Sequence, residues 1–267
     1  MQQGKLPRPG RPAVLLAWLV HLLTAGGAIF ALLALDAIVR EDWRLALLWL
    51  LAALAVDGVD GSLARLARVK ERAPRIDGET LDLVVDYLNY VFVPALFIWR
   101  AGLVPADWAL WLAAAILLSS LYVFARADMK TGDSYFRGFP ALWNVVALYL
   151  YAAGIGPEAG AALVAALVAM SFAPVHFVHP FRVRDYGIWL PSLAILWAAA
   201  SALLLWPDWS PEVRGALLWT SVLSGLVLIA LGLLRTLRGP RPVRVISPAE
   251  AAIEAAVREE NGGRGKD

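Results

Sequence analysis

Apolar and polar positions alternate along this chain in long blocks rather than at short periods. Eight apolar stretches cover roughly residues 13–38, 43–59, 79–99, 104–125, 139–155, 159–178, 187–206 and 212–234, with short polar or Gly/Pro-marked segments between them. A helix crosses the hydrocarbon of a bilayer in about 20 residues, and each stretch is close to that length. The pattern therefore predicts an all-α, polytopic membrane protein of about eight transmembrane helices. The first stretch follows Lys5, Arg8 and Arg11 as the core of a signal peptide would, but it runs on to Val39. That is too long for a signal's apolar region, so a retained first helix is expected. Composition agrees, with 60% hydrophobic residues and a mean hydropathy of +0.64, well outside the range of soluble domains.

The charges settle the expected orientation. With eight spans both termini share one side, and of the 24 Lys and Arg residues all but Arg40, Arg44, Arg100 and Arg214 fall on that side. The positive-inside rule then places both termini, and the loop between the second and third helices, in the cytoplasm. Residues 1–234 are expected to form the transmembrane domain and 235–267 a cytoplasmic tail. In that tail Gly239-Pro240-Arg241-Pro242 breaks the last helix, and Ser247 starts a short charged helix ending near Glu260. The absence of cysteine excludes a disulfide framework, a zinc-thiolate site and thiol catalysis.

Against this apolar background four carboxylates stand out: Asp57 and Asp60 at the end of the second stretch, Asp82 and Asp86 in the third. An acid in or at the edge of a membrane is costly and marks a functional site by default. On a helix Asp57, Asp60, Gly61, Ala64 and Arg65 share one face, and Gly78, Asp82 and Asp86 share another. The segment between them carries Arg68, Lys70, Arg72, Pro74 and Arg75, so the chain leaves the membrane, turns and returns antiparallel, and the two acidic faces meet near the cytoplasmic edge. Carboxylates so close repel one another unless their pKa values shift or divalent cations bind. Two hard ions bridged by acid oxygens, Mg2+ or Mn2+, are the arrangement that stabilises phosphoryl or pyrophosphoryl displacement. Gly61, Ala64 and Gly78 leave room for a flat group such as a nucleobase, and the planar fork of Arg65 suits phosphate oxygens.

The series Asp57-x-x-Asp60-Gly61-x-x-Ala64-Arg65, then Gly78-x-x-x-Asp82-x-x-x-Asp86, resembles the signature of the CDP-alcohol phosphotransferases, membrane enzymes that move a phosphatidyl group from a CDP-linked lipid to an alcohol. Twelve residues separate Arg65 from Gly78, where the usual pattern has about eight. That longer spacer, with Gly58 and with the flanking stretches Val20–Ala25, Ala127–Asp133, Gly138–Pro140 and Phe177–Arg184, resembles the bacterial phosphatidylcholine synthase branch. The resemblance covers most of the chain up to about residue 190. It implies condensation of CDP-diacylglycerol with choline to give phosphatidylcholine and CMP. It also implies that Asp57, Asp60, Asp82 and Asp86 are metal ligands, that Asp86 is also the general base, and that Gly61, Ala64, Arg65 and Gly78 form the CDP site, with Thr24 of the first helix within reach of the nucleotide. A homodimer in the bacterial inner membrane, with its active site at the cytoplasmic face and no nucleic-acid partner, follows from the same resemblance.

Choline carries a quaternary ammonium that donates no hydrogen bond, so an aromatic face is expected beside it. Tyr90, one turn past Asp86, is the candidate. A lone membrane His is more often a hydrogen-bonded packing residue than a ligand, so His21, His176 and His179 are given no role, and Arg126, Lys130, Arg137, Arg182 and Arg184 are read as either a site for lipid phosphate or a topology signal alone. Two alternatives stay open: the same chemistry on serine, inositol or glycerol phosphate, and a divalent-cation transporter. The transporter would place its acids near the bilayer midplane, often in duplicated halves.

Overall fold

The structure, a computed structural model, describes residues 10–183 and 185–239. The expected basic residues Lys5, Arg8 and Arg184 and the expected helix from Ser247 to Glu260 lie outside them. Helix α1 spans Arg11–Val39 and α2 Trp43–Leu66, followed by a single turn, α3, at Val69–Arg72. The third membrane element starts as α4, Gly78–Asp86, widens into a π-helical turn at Tyr87–Phe92 and ends as α5, Val93–Arg100. Then come α6 (Ala106–Ala125), α7 (Trp143–Ala152), α8 (Pro157–Met170), α9 (Trp189–Leu204) and α10 (Pro211–Arg238). Two short strands, β1 (Phe136–Arg137) and β2 (His176–Phe177), pair antiparallel.

The chain is mostly helical, as the sequence predicts. Five helical segments have the length and apolar content to cross a membrane: 11–39, 43–66, 78–100, 106–125 and 211–238. The stretches expected at 139–155, 159–178 and 187–206 fold as helices of 10, 14 and 16 residues. Local chemistry shortens them. Phe139-Pro140-Ala141 is non-helical, with Ala141 at φ 57°, Gly154 turns at φ 63°, and Pro174 follows the end of α8. Helix α10 continues past the expected end near residue 234. Arg235 is ion-paired with Asp133 at 2.6 Å, and the Thr236 hydroxyl accepts from the His176 backbone N–H at 2.7 Å.

The interior mixes small, branched aliphatic and aromatic side chains. Ala31, Ala34 and Ala37 of α1 are buried against Ala46, Leu47 and Leu50 of α2, with Phe97, Trp143 and Leu150 beyond them. Small residues let helices approach closely, and close packing is what drives helix association where lipid is as apolar as leucine. Many other large apolar side chains face outward, among them Leu22, Leu32, Trp108, Trp111 and Leu118. Buried hydrogen bonds fasten the last two helices. Trp197 Nε1 donates to the Tyr149 hydroxyl at 2.8 Å, which bonds Ser221 at 2.7 Å, and Ser221 bonds Ser201 at 2.8 Å. Helices α9 and α10 are thereby pinned to α7.

Candidate active site

Helix α2 runs through Leu66, so Asp57, Asp60, Gly61, Ala64 and Arg65 all lie on regular helix, as their spacing predicts. The turn that follows is set by Arg68 at φ 48°. Helix α4 is started by Asp77, whose carboxylate accepts from the backbone N–H groups of Glu79 (3.0 Å) and Thr80 (3.3 Å) and from the Thr80 hydroxyl (2.9 Å). The bonds from Thr80, then that from Glu79, hold Asp77 below the usual carboxylate range, and its anion suits the N-terminal end of a helix. These two features return the chain against α1, with Asp82 and Asp86 turned toward Asp57 of α2.

Three of the four predicted acids converge. One oxygen each from Asp57, Asp82 and Asp86 lies within 4.8 Å of the others, the separation expected of oxygens that share a cation at 2.0–2.6 Å. They border a cavity of about 10 Å³ together with Thr24, Gly27, Asp60, Asn89 and Tyr90. That is room for about one water-sized sphere. Asp60, 5% exposed, lines the same cavity outside the group of three. Its Oδ2 accepts from the Thr24 hydroxyl at 2.7 Å. Thr24 was expected near the nucleotide, and its hydroxyl sits on this acid.

Tyr90 is buried in the core, and its hydroxyl donates to Asp57 Oδ2 at 2.7 Å. Asn89, 2% exposed, was not anticipated. Its amide nitrogen donates to the carbonyls of Gly27 (2.9 Å) and Val85 (3.0 Å), and its Oδ1 is buried with no partner. The sequence held a usable signal, an amide in an apolar stretch three residues past Asp86 and so near its face. Gly27 makes the α1–α4 contact possible, because a Cβ there would collide with Val85 Cγ1.

The small residues sit at distinct places. A Cβ on Gly61 would lie 3.7 Å from the Arg65 guanidinium and 3.8 Å from that of Arg182, so two cations flank this glycine. A Cβ on Gly78 would lie 3.2 Å from His21 Cε1. His21 is buried, with Nε2 unpartnered. Ala64 packs on the cluster formed by Ala17, Val20, Ala67, Val69 and Ala73. Lys130 and Arg182 are among the cations within electrostatic range of Asp57 and Asp82. Lys130 lies over the Phe136 ring at 5.1 Å, and His179 stacks on that ring at 5.4 Å. Burial, then the charges of Arg182 and Lys130, push His179 down to about 3, so it is neutral at physiological pH.

An all-oxygen donor set bordered by cations at the end of two antiparallel helices suits a divalent ion and a phosphate-bearing substrate. It lies in one half of the chain, unlike the duplicated mid-membrane site of a transporter. Known proteins fit the same reading. The chain is 48% identical over 189 residues to a phosphatidylcholine synthase of Pseudomonas aeruginosa, covering 71% of this chain and 79% of that one. It is 43% identical over 236 residues to the phosphatidylcholine synthase of Bradyrhizobium diazoefficiens, covering 86% and 88%. The chain belongs to the phosphatidylcholine synthase family. The synthase of Legionella pneumophila, 41% identical over 70% of this chain and 73% of its own, is a further relative. No protein-family model matches. As a phosphatidylcholine synthase family member the chain is an enzyme, and the stretch resembling the family in its motifs holds all four acids.

Proposed function

We propose that this enzyme transfers the phosphatidyl group of CDP-diacylglycerol to choline and releases CMP at the cytoplasmic face of a bacterial inner membrane. The observation that carries this is the convergence of Asp57, Asp82 and Asp86 oxygens within 4.8 Å in a chain whose relatives are phosphatidylcholine synthases.

The residues fit divalent metal. The donors are hard oxygens, and the orphaned Asn89 Oδ1 adds a neutral oxygen that no neighbouring carboxylate can satisfy, since ionised acids only accept. Asp57, Asp60, Asp82 and Asp86 would hold two ions, Mn2+ or Mg2+. When bound, these neutralise the pyrophosphate and stabilise the charge on departing CMP. Gly61, Ala64 and Gly78 would border the cytidine, Thr24 contributes through Asp60, and Arg65, joined by Arg182, binds phosphate oxygens. Asp86, the deepest acid along its helix, takes the choline hydroxyl proton as that oxygen attacks the β-phosphorus. The bond from this phosphorus to the CMP oxygen breaks in the same displacement, with no covalent enzyme intermediate. Tyr90, which borders the cavity, offers its ring to the quaternary ammonium.

Eight crossings, with the three shorter apolar helices completed by their flanking segments, put both termini in the cytoplasm and match the bias of basic residues. A homodimer is the expected assembly. The test is CMP release by the purified chain given CDP-diacylglycerol, Mn2+ or Mg2+, and one acceptor at a time. Choline alone should support turnover; turnover with serine, inositol or glycerol phosphate but not choline would overturn the acceptor.

A further inference from the structure

A second cavity, about 580 Å³, lies on the other side of the β-ribbon from the acids. Four separate parts of the chain supply its polar wall: Arg126 at the end of α6, Thr131, Asp133 and Arg137 before and on β1, His176 on β2, and Arg235 on α10. The ribbon acts as a partition, since successive side chains of a strand point to opposite faces. Phe136 faces Lys130 and His179, and Lys130 lies within electrostatic range of Asp57, Asp82 and Asp86. Arg137 and its cross-strand partner His176 face the second cavity. Of the five basic residues read together from the sequence, the four that the structure describes are thus divided, with Lys130 and Arg182 turned to the acids and Arg126 and Arg137 to this cavity.

Each of the three guanidiniums meets a carboxylate. Arg126 Nε and Nη2 meet Asp128 at 2.7 and 3.0 Å, Arg137 Nη1 meets the same carboxylate at 3.1 Å, and Arg235 Nε and Nη2 meet Asp133 at 2.6 and 3.3 Å. Among these ion pairs, two carboxylates serve three guanidiniums. Each guanidinium has five N–H donors, so several remain for a ligand with many acceptor oxygens. At the rim Phe172 is 56% exposed and packs on the exposed Tyr122 ring, 4.9 Å away. An apolar rim above fixed guanidiniums matches a molecule with a phosphate at one end and acyl chains at the other, and the volume is that of a small-ligand pocket.

We propose that this cavity binds the phosphodiester headgroup of an anionic phospholipid, separately from the acid-lined site. The shared chemistry, a phosphate ester anion on paired arginines, is also available from a soluble ester, and the test tells the two apart. Thermal unfolding of the full chain in neutral detergent is followed while phosphatidylglycerol or soluble glycerol phosphate is titrated in. Phosphatidylglycerol should raise the midpoint saturably, because a ligand of the folded state stabilises it. Arg137→Gln should weaken the apparent affinity by about tenfold, the loss expected of one charge-assisted hydrogen bond, and Asp86→Asn should leave it unchanged. Arg126→Gln gives a second reading from another element if Arg137→Gln unfolds. An arginine-dependent shift with glycerol phosphate alone would keep the anion site and overturn the lipid as its ligand. No shift with either, or a shift untouched by both arginine variants, would overturn the site.

Discussion

The Tyr90 hydroxyl donates a 2.7 Å hydrogen bond to Asp57 Oδ2, tying the π-helical turn of one membrane helix to an acid on another. An aromatic residue chosen from sequence for its ring also bonds, in the fold, a carboxylate through its hydroxyl. Removing the hydroxyl alone separates the two contributions. Tyr90→Phe keeps the ring face and frees Asp57, so the divalent-ion concentration giving half-maximal rate should rise about 10- to 100-fold, as for other groups that orient metal ligands. Choline KM should change little.

Asn89 gives a readout that does not depend on turnover. Asn89→Ala removes both the tie to the Gly27 and Val85 carbonyls and the orphaned oxygen. The metal-free melting temperature should fall, and Mn2+ binding followed by electron paramagnetic resonance should weaken. Asn89→Asp keeps an oxygen and adds charge beside the acids, so it should lower metal-free stability yet give a larger stabilisation on adding Mn2+.

The α1–α4 approach depends on Gly27. Gly27→Val places side-chain atoms where Val85 Cγ1 sits, and overpacking of this kind costs about 1–3 kcal/mol. A lowered melting temperature in detergent checks it, and Gly26→Val, where a Cβ would meet nothing within 4 Å, should be near neutral.

The parts legible in the sequence were those with a short-range period. Apolar run length gave α1, α2, the 78–100 element and α6, and helical spacing put Asp57 with Asp60 and Asp82 with Asp86 on common faces. The π-helical turn was not legible, because widening the hydrogen-bond register after Asp86 leaves no mark in composition. Nor was the ribbon, whose two-residue strands lie about 40 residues apart and pair only once α6, α8 and α10 bring them together. That pairing decides which basic side chains face the acids, so Lys130 and Arg137, alike in sequence, end on opposite sides.

Acid should weaken the ribbon region. His179 titrates at about 3 in the fold against about 6.5 unfolded, so between those values the unfolded chain binds the extra proton. Stability from this residue is full above about pH 6.5 and is lost as pH falls toward 3. His179→Phe retains stacking on Phe136 and removes the titration. Its melting temperature should fall less than that of the unsubstituted chain between pH 7 and pH 5.

The central claim is that the converged acids perform choline-dependent transfer. It is tested most directly by labelled choline incorporation into lipid, with CDP-diacylglycerol and Mn2+ or Mg2+, comparing the unsubstituted chain with folded Asp86→Ala. Labelled phosphatidylcholine that requires the divalent ion and disappears with Asp86→Ala is the predicted result. Product formed equally by Asp86→Ala, or undiminished by chelation of divalent ions, would contradict the account.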